Sequence, residues 1–226
     1  MKYLYETHMH TAEVSRCASA PAVEQVRFYK EQGFDGITVT DHFLGGNTTV
    51  PADLPWDERI ELFCRGYELA AEEGQKAGLK VFFGWEYAHL GCDFLTYGLD
   101  KAWLMAHPDI DKMEINRYLD LVRSEGAYVV HAHPFREDFY IPYIQLLPRK
   151  VDAVEVLNAC RKDFENERAA EYAKNYGLKI SAGSDNHSAY RQRRLCALGS
   201  DGEYLSLDDI IGAIRSGECS LEDIRL

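Results

Sequence analysis

Short apolar runs typical of buried strands alternate with helix-like segments along most of the 226-residue chain. The predicted strands cover residues 3–8, 36–40, 80–85, 127–131, 153–156, 178–182 and, with a weaker pattern, 195–198. The predicted helices cover residues 21–32, 56–77, 113–125, 165–176 and 207–216, and residues 94–99 are a further strand candidate. Repeated strand–helix units predict parallel strands with helical crossovers, and about seven of them favour a small α/β barrel over an open sheet.

Length and composition favour one folded domain over residues 1–226. An apolar fraction of 46% and an aromatic fraction of 12% supply a substantial core. The formal net charge of −12 argues against long nucleic acid as a partner, because phosphate backbones attract basic surfaces. A small anion is still compatible with this charge if bound metal makes its pocket locally positive.

The cysteines and the apolar runs bear on where the protein is located. The six cysteines are widely spaced and form no C-x-x-C motif, which argues against a disulfide scaffold or a structural zinc knuckle. The N-terminal sequence enters a predicted strand at Tyr3 without the apolar region of a signal peptide. No apolar run approaches the length required to cross a bilayer. We therefore expect a cytoplasmic protein without a membrane partner.

Histidines and carboxylates of metal-ligand type fall at or just past the ends of the predicted strands. They are His8, His10, His42, Glu86, His133, Asp185 and His187. Side chains alternate across a strand, so H-x-H and D-x-H each direct two ligands to the same side. In α/β barrels the active site lies at the C-terminal ends of the strands, where all of these residues fall. Imidazoles with carboxylates suit Zn, Mn or Fe, so the pattern predicts a multinuclear hydrolytic site.

Five motifs in order carry a resemblance to a known family: E-T-H-M-H-T, T-V-T-D-H, G-W-E, H-A-H-P-F-R and S-A-G-S-D-N-H. With these motifs, which span nearly the full length, the chain resembles the polymerase-and-histidinol-phosphatase (PHP) family. The resemblance implies a distorted (β/α)7 TIM-like barrel and a trinuclear metal centre at the C-terminal ends of the strands. It also implies phosphoesterase chemistry on a small phosphate monoester, with histidinol phosphate as the best-known substrate of stand-alone members.

The same resemblance implies a ligand assignment. By position, the first metal is expected to take His8, His10, Glu86 and Asp185, the second Glu86 and His133, and the third His42 and His187. Glu13 is the candidate for the acidic or histidine ligand that often follows H-x-H, with Ser15 as an alternative. Asp93 stands where many members carry a histidine, with His89 as a competitor. The expected cofactors are about two or three divalent ions, Zn, Mn or Fe.

Two arginines just past strand ends are candidate substrate anchors. Arg136 follows H-A-H-P-F, and Arg161 follows V-E-V-L-N-A-C. A guanidinium group binds phosphate through two hydrogen bonds and keeps its charge at any working pH, so both are predicted to bind a phosphoryl group. Asp41 points away from His42 across the strand and is expected to support the ligands. A role for Asp41 as proton acceptor is left open.

The function predicted from these residues is hydrolysis of a small phosphate monoester, either histidinol phosphate-like or a nucleotide or sugar phosphate. An amidohydrolase-like enzyme acting on C–N or C–O bonds is an alternative. Lys80, Lys150 and Lys179 are poorly placed for the metal-bridging lysine of that class. A non-catalytic, metal-stabilised PHP module and a nuclease acting on small oligonucleotides are further alternatives.

Overall fold

The computed structural model describes residues 2–226. Its strands are β1 Tyr3–Met9, β2 Gly36–Val39, β3 Lys80–His89, β4 Cys92–Tyr97, β5 Tyr128–Ala132, β6 Ala153–Asn158, β7 Lys179–Gly183, β8 Arg194–Ser200 and β9 Ser220–Arg225. Its α-helices are α1 Ala22–Glu31, α2 Trp56–Phe63, α3 Arg65–Ala77, α4 Lys101–Ala106, α5 Ile115–Ser124, α6 Asp163–Tyr176 and α7 Leu207–Ser216. Short 3₁₀ turns lie at Ile110–Lys112 and Ala189–Arg191.

These strands form one sheet in the order β7-β6-β5-β4-β3-β2-β1-β8-β9. The pairs β1–β2, β2–β3, β5–β6 and β6–β7 are parallel, whereas β4 is antiparallel to β3 and β5, and β8 to β1 and β9. The chain after β7 returns to β1, where Met9 bridges Asn186 and the Asp185 N–H donates to the His8 carbonyl over 2.7 Å. The sheet is therefore nearly closed into a barrel, and the ends of its parallel strands meet on one rim.

The predicted barrel is confirmed, but the count of seven strand–helix units is not. The extra strand candidate at residues 94–99 is β4, which pairs with β3 in a hairpin. Because of this pairing, β3 continues past its predicted end at Trp85 and ends at His89. Two elements were not predicted, α4 and β9. The β9 sequence S-L-E-D-I-R has only two apolar residues, and its strand conformation depends on pairing with β8 at the edge of the sheet.

The helix predicted over residues 56–77 is two helices, α2 and α3, which meet at Cys64. Gly66, in the first turn of α3, lies close to the barrel. A Cβ atom there would come within 2.2 Å of Thr11 Oγ1 and 2.6 Å of Asp41 Oδ2. The change of direction at Cys64 and the missing side chain at Gly66 let α3 pack directly behind Asp41.

Aromatic side chains fill the space between β3 and the helices. Trp85 is fully buried, and its Nε1–H donates to Tyr118 Oη over 2.6 Å. Phe43 and Phe63 pack edge to face at 5.1 Å in the same cluster. This core supports β3 behind the rim, because Trp85 directly precedes Glu86. In residues 2–226, no helix has both the length and the apolar character that a bilayer span requires.

We expect Asp111→Asn to lower the free energy of unfolding by about 2 kcal/mol. Asp111 Oδ2 and Arg59 Nη2 lie 2.6 Å apart, and the two side chains are only 5% and 6% exposed. Loss of the carboxylate charge would leave a buried guanidinium poorly compensated. Urea unfolding measures the effect.

The matched control for Asp111 is the surface pair of Glu72 and Lys76. These side chains lie 2.8 Å apart but are 64% and 62% exposed, so solvent screens their attraction. Glu72→Gln should leave the free energy of unfolding essentially unchanged, because solvent screens the exposed pair. Equal losses in the two variants would contradict a structural role for the buried pair.

Candidate metal centre

The predicted ligands at the strand ends converge on one rim of the barrel. His8 lies in β1, His10 follows it, His42 follows β2, Glu86 lies in β3, His133 follows β5, and Asp185 and His187 follow β7. His187 is partly exposed, and the others are buried. Three overlapping groups have ligand atoms within 4.8 Å of one another: His8–Glu86–His133, His8–His10–Asp185 and His10–His42–His187.

Glu86 lies at the centre of this cluster. Its Oε1 is 3.4 Å from His8 Nε2 and 3.2 Å from His133 Nε2. Its Oε2 is 2.6 Å from His42 Nδ1. The parallel bridge between His42 and Glu86 fixes the spacing of the two backbones. One carboxylate therefore faces imidazoles from three different strands of the barrel, as a bridging ligand must.

Asp185 completes the cluster from the opposite side. Its Oδ1 is 3.3 Å from His10 Nε2 and 3.5 Å from His8 Nε2. Its φ of 53° is unusual for a residue other than glycine, and His133 has a φ of 27°. Such backbone strain at two predicted ligands is typical of a site held in place by its surroundings.

The spacing of these donor atoms fits divalent cations. Two ligands on one tetrahedral ion with bonds of about 2.1 Å stand about 3.4 Å apart. His8 Nε2 and His10 Nε2 are 3.2 Å apart, close to that separation. Glu86 Oε2 is buried and makes no hydrogen bond within residues 2–226. Unpaired buried donor atoms of this kind are expected where a cation is the missing partner.

Hydrogen bonds behind the rim orient two of the imidazoles. His8 Nδ1–H donates to Glu155 Oε1 over 2.9 Å, and His10 Nδ1–H donates to Ser15 Oγ over 3.0 Å. The Ser15 hydroxyl donates in turn to Asp41 Oδ1 over 2.7 Å. Each ring is then left with an Nε2 lone pair that faces the cluster, which is the tautomer that a metal requires.

Asp41 lies beneath His10 and supports it, in keeping with its predicted direction across the strand. Its carboxylate accepts from Thr11 N–H over 2.7 Å, from the Thr11 hydroxyl over 2.6 Å and from Ser15. Burial raises the pKa of Asp41 to about 6, in spite of these donors. Its oxygens are occupied by protein hydrogen bonds, which fits a positioning role.

The electrostatics of the cluster couple its acids and imidazoles. Burial alone would lower the pKa of His8, but Glu155, Asp185 and Glu86 together raise it well above the usual value. For Glu86 the directions are reversed. Burial alone would raise its pKa, but the imidazoles of His42 and His8 hold this pKa well below the usual value. Nearby imidazoles hold the pKa of Asp185 well below its usual value as well, so Glu86 and Asp185 are anionic, and a bound cation would replace the Nε2 proton of His8.

Two predicted ligands lie outside the three groups. Glu13 Oε2 accepts from the Ala22 N–H over 2.9 Å and so caps α1. Asp93 Oδ2 is 2.7 Å from Arg136 Nη2 and 3.9 Å from His133 Nε2, which places it at the edge of the cluster. Burial, followed by Glu86, raises the pKa of Asp93 in spite of the arginine. The structure therefore shows Glu13 as a helix cap and Asp93 as an ion-pair partner.

A cavity of about 470 Å³ opens over the cluster and is lined by both candidate anchors, Arg136 and Arg161. Arg136 is engaged by Asp93 and also donates to the Gly91 carbonyl over 3.3 Å. Arg161 forms no ion pair within residues 2–226, and its Nε is buried without a hydrogen-bond partner. Of the two guanidinium groups, that of Arg161 is free to receive an anion.

Two residues at the site were missed at the sequence level, Glu155 and Cys17. Glu155 is a charged residue within the apolar strand V-E-V, a signal that was available but was not used. Cys17 lines the cavity beside His42. Burial alone would raise the pKa of Cys17, but hydrogen bonds from His187 and His42 lower it to about 6. Its place depends on a loop whose shape the sequence pattern does not reveal.

We expect Glu155→Gln to weaken metal binding by about 10- to 100-fold. Besides His8, the Glu155 carboxylate accepts from Asn158 Nδ2–H over 2.8 Å and from His133 N–H over 3.1 Å. Loss of its charge would weaken the orientation and basicity of the His8 ring. Competition with a chelator measures the affinity, and Glu222→Gln, in a surface pair with Lys2, is the control. Unchanged affinity in Glu155→Gln would contradict this role.

The chain is similar in fold to several solved structures, and one family model matches part of its sequence. A family model described as PHP-associated matches residues 163–191, which include α6, β7, Asp185 and His187. No curated protein matches the sequence. One similar structure is a two-domain protein from Bacteroides vulgatus that contains a predicted PHP-like metal-dependent phosphoesterase. The identity is 15% and the TM-score 0.75, over 98% of this chain and 65% of that protein.

Two further structures share the fold at low sequence identity. PsfC from Pseudomonas syringae is 19% identical with a TM-score of 0.65, over 100% of this chain and 92% of that one. An amidohydrolase from Chromobacterium violaceum, with bound sulfate and no metal, is 14% identical with a TM-score of 0.57, over 98% and 97% of the two chains. These structures share the barrel fold of this chain, and the match to the PHP-associated family model is confined to residues 163–191.

Proposed function

We propose that the chain is a metal-dependent phosphoesterase that hydrolyses a small phosphate monoester. The observation that carries the proposal is that three of the candidate metal ligands, His42, Asp185 and His187, line the same cavity as the unpaired guanidinium of Arg161. Cations and a guanidinium group together can neutralise a phosphoryl group that carries two negative charges. The Bacteroides protein, of which this chain spans 65% of the length, is described as PHP-like and phosphoesterase-containing, which supports the same chemistry.

Glu86, Asp185 and the site histidines would hold the cations. We propose about two or three of them per chain, Zn, Mn or Fe, since imidazole with carboxylate suits each of these metals. When bound, such cations acidify a water molecule and offset the negative charge of the phosphoryl oxygens. Glu155 and Ser15 keep His8 and His10 in the required tautomer and orientation.

The residues of the chain bind and orient the ester. Arg161 donates two hydrogen bonds to the phosphoryl oxygens and sets the phosphorus in line with the attacking water oxygen. A new P–O bond forms to that oxygen as the ester P–O bond breaks. The attacking water gives up one proton to solvent, and the leaving alkoxide takes a proton from water. Asp41 acts through Ser15 and His10, as a positioning residue.

The rim of the cavity bears on which ester binds. Tyr140 lines the cavity and lies under the Arg136 guanidinium at 5.9 Å, and it is 55% exposed. The neighbouring Phe139 is almost fully exposed. An exposed aromatic surface beside the phosphate site suits a substrate that carries a flat ring. Histidinol phosphate fits this description and is the substrate that the family resemblance suggests.

The amidohydrolase-like alternative is less well supported by the positions of the lysines. Lys80 is the first residue of β3 and pairs with Glu203, so it lies about 20 Å along the strand from Glu86. Lys179 likewise begins β7, at the end opposite to the rim. Lys150 pairs with Asp120 outside the cavity. None of these lysines could bridge two cations on the rim.

The proposal is tested with metal-reconstituted protein and a panel of phosphate monoesters that includes histidinol phosphate, nucleotides and sugar phosphates. Release of inorganic phosphate is measured for each ester, in parallel with hydrolysis of a matched panel of amides and lactones. We expect phosphate release, fastest with esters whose alcohol carries a ring. Hydrolysis of amides or lactones without phosphate release from any ester would overturn the proposal in favour of the amidohydrolase-like alternative.

A further inference from the structure

One thiol at the mouth of the cavity has no role in the phosphoesterase reaction proposed above. Cys17 Sγ lies 3.2 Å from His42 Nε2. These two side chains and that of His187 line the cavity. The thiol therefore shares one small space with two imidazoles whose ligand atoms lie within 4.8 Å of one another.

The distances suit a thiolate and an imidazole on one ion. With a Zn–S bond of about 2.3 Å and a Zn–N bond of about 2.05 Å, tetrahedral geometry separates the two donors by about 3.6 Å. The observed separation of 3.2 Å between Cys17 Sγ and His42 Nε2 is close to this value. A small movement of an exposed side chain would reach it.

The neighbouring residues favour the same donor. Glu13, which was expected to supply a ligand in this loop, caps α1 through the Ala22 N–H. His10, His42 and His187 form a group with ligand atoms within 4.8 Å, and that group has no carboxylate. Cys17 is the sulfur donor in contact with this group, through His42 Nε2.

We propose that Cys17 is a metal ligand, binding as its thiolate with His42 and His187 at the open side of the metal centre. The inference rests on the proposed metal centre. It adds a thiolate ligand, which is a softer donor than the imidazoles and carboxylates of the other positions. Thiolate and imidazole select Zn over Mn and Mg, so this position prefers zinc. The remaining positions, rich in oxygen donors from Glu86 and Asp185, accept Mn or Fe more readily.

The test uses cobalt(II), which replaces zinc and shows a strong near-ultraviolet charge-transfer band only when a thiolate is bound to it. Wild type, Cys17→Ser and Cys160→Ser are reconstituted with cobalt and their spectra recorded. Cys160 is the matched control, because it is also exposed and near the site, but its thiol donates to the Asp185 carbonyl over 3.3 Å. We expect the band in wild type and Cys160→Ser and its loss in Cys17→Ser.

A zinc count gives a second readout. After equilibration with equal zinc and manganese, Cys17→Ser should retain about one zinc fewer per chain than wild type or Cys160→Ser. Cobalt bound without the charge-transfer band, or a band that survives in Cys17→Ser, would overturn the inference. So would a protein that binds no cobalt. If the band is present but no ester releases phosphate, Cys17 is still a metal ligand. In that case only the phosphoesterase proposal is refuted.

Discussion

Glu86→Gln is expected to reduce turnover of the preferred phosphate ester by at least about 10³-fold and to lower the metal content at the same time. Among residues 2–226, Glu86 is the one carboxylate in close contact with His8, His42 and His133. The substitution keeps the size of the side chain and removes the charge that a bridging ligand supplies. Because the contacts reach three strands, its loss should affect more than one cation.

The measurements are phosphate release and metal content of the same preparation, with urea unfolding to exclude loss of the fold. Glu222→Gln, at a surface pair with Lys2, provides the control for removal of a carboxylate charge and should retain both activity and metal. Full activity in a folded Glu86→Gln variant would refute the assignment of Glu86 as a metal ligand.

Arg161→Ala is expected to lower kcat/KM for phosphate esters by about 100-fold, chiefly through KM, with metal content unchanged. Arg161 lines the cavity and has no carboxylate partner within residues 2–226, so its charge is available to the substrate. Arg161→Lys should recover part of the loss, since a lysine keeps the charge but not the paired hydrogen bonds.

Arg193→Ala is the matched control for Arg161, because Arg193 is exposed and donates to the Tyr190 carbonyl. It should leave kcat/KM unchanged. Arg136→Ala is a poorer test of substrate binding, since it would leave the buried Asp93 carboxylate without its ion pair. If Arg161→Ala lost metal rather than substrate affinity, Arg161 would be a support for the metal centre instead of a substrate anchor.

The candidate metal ligands could be predicted from the sequence because their positions follow a simple geometric rule. In a nearly closed barrel the ends of parallel strands meet, so the distant residues His8, Glu86 and Asp185 could be predicted to converge without any knowledge of side-chain packing. The alternation of side chains likewise predicted that Asp41 would lie behind the cluster, where it contacts Ser15.

The loop after β1, the edge strand β9 and the buried Glu155 were harder to predict, because their structure depends on contacts with other parts of the chain. The loop after β1 turns Glu13 towards α1 and Cys17 towards His42, a choice made by backbone turns that the spacing of residues does not reveal. The strand β9 forms by pairing on an edge rather than by its own apolar pattern. Glu155 was not predicted because a strand pattern is recognised by its apolar residues. A charged residue that faces inward within such a strand nevertheless indicates a buried partner, which here is His8.

The central claim, a metal centre that hydrolyses phosphate esters, is tested most directly by metal analysis coupled to phosphate release. Metal per chain is measured by mass spectrometry in the purified protein, after chelation and after re-addition of Zn, Mn or Fe, with release from the preferred ester followed at each stage. We expect about two or three ions per chain, loss of activity on chelation and recovery on re-addition. Phosphate release that survives complete removal of metal, or a folded protein that takes up none, would contradict it.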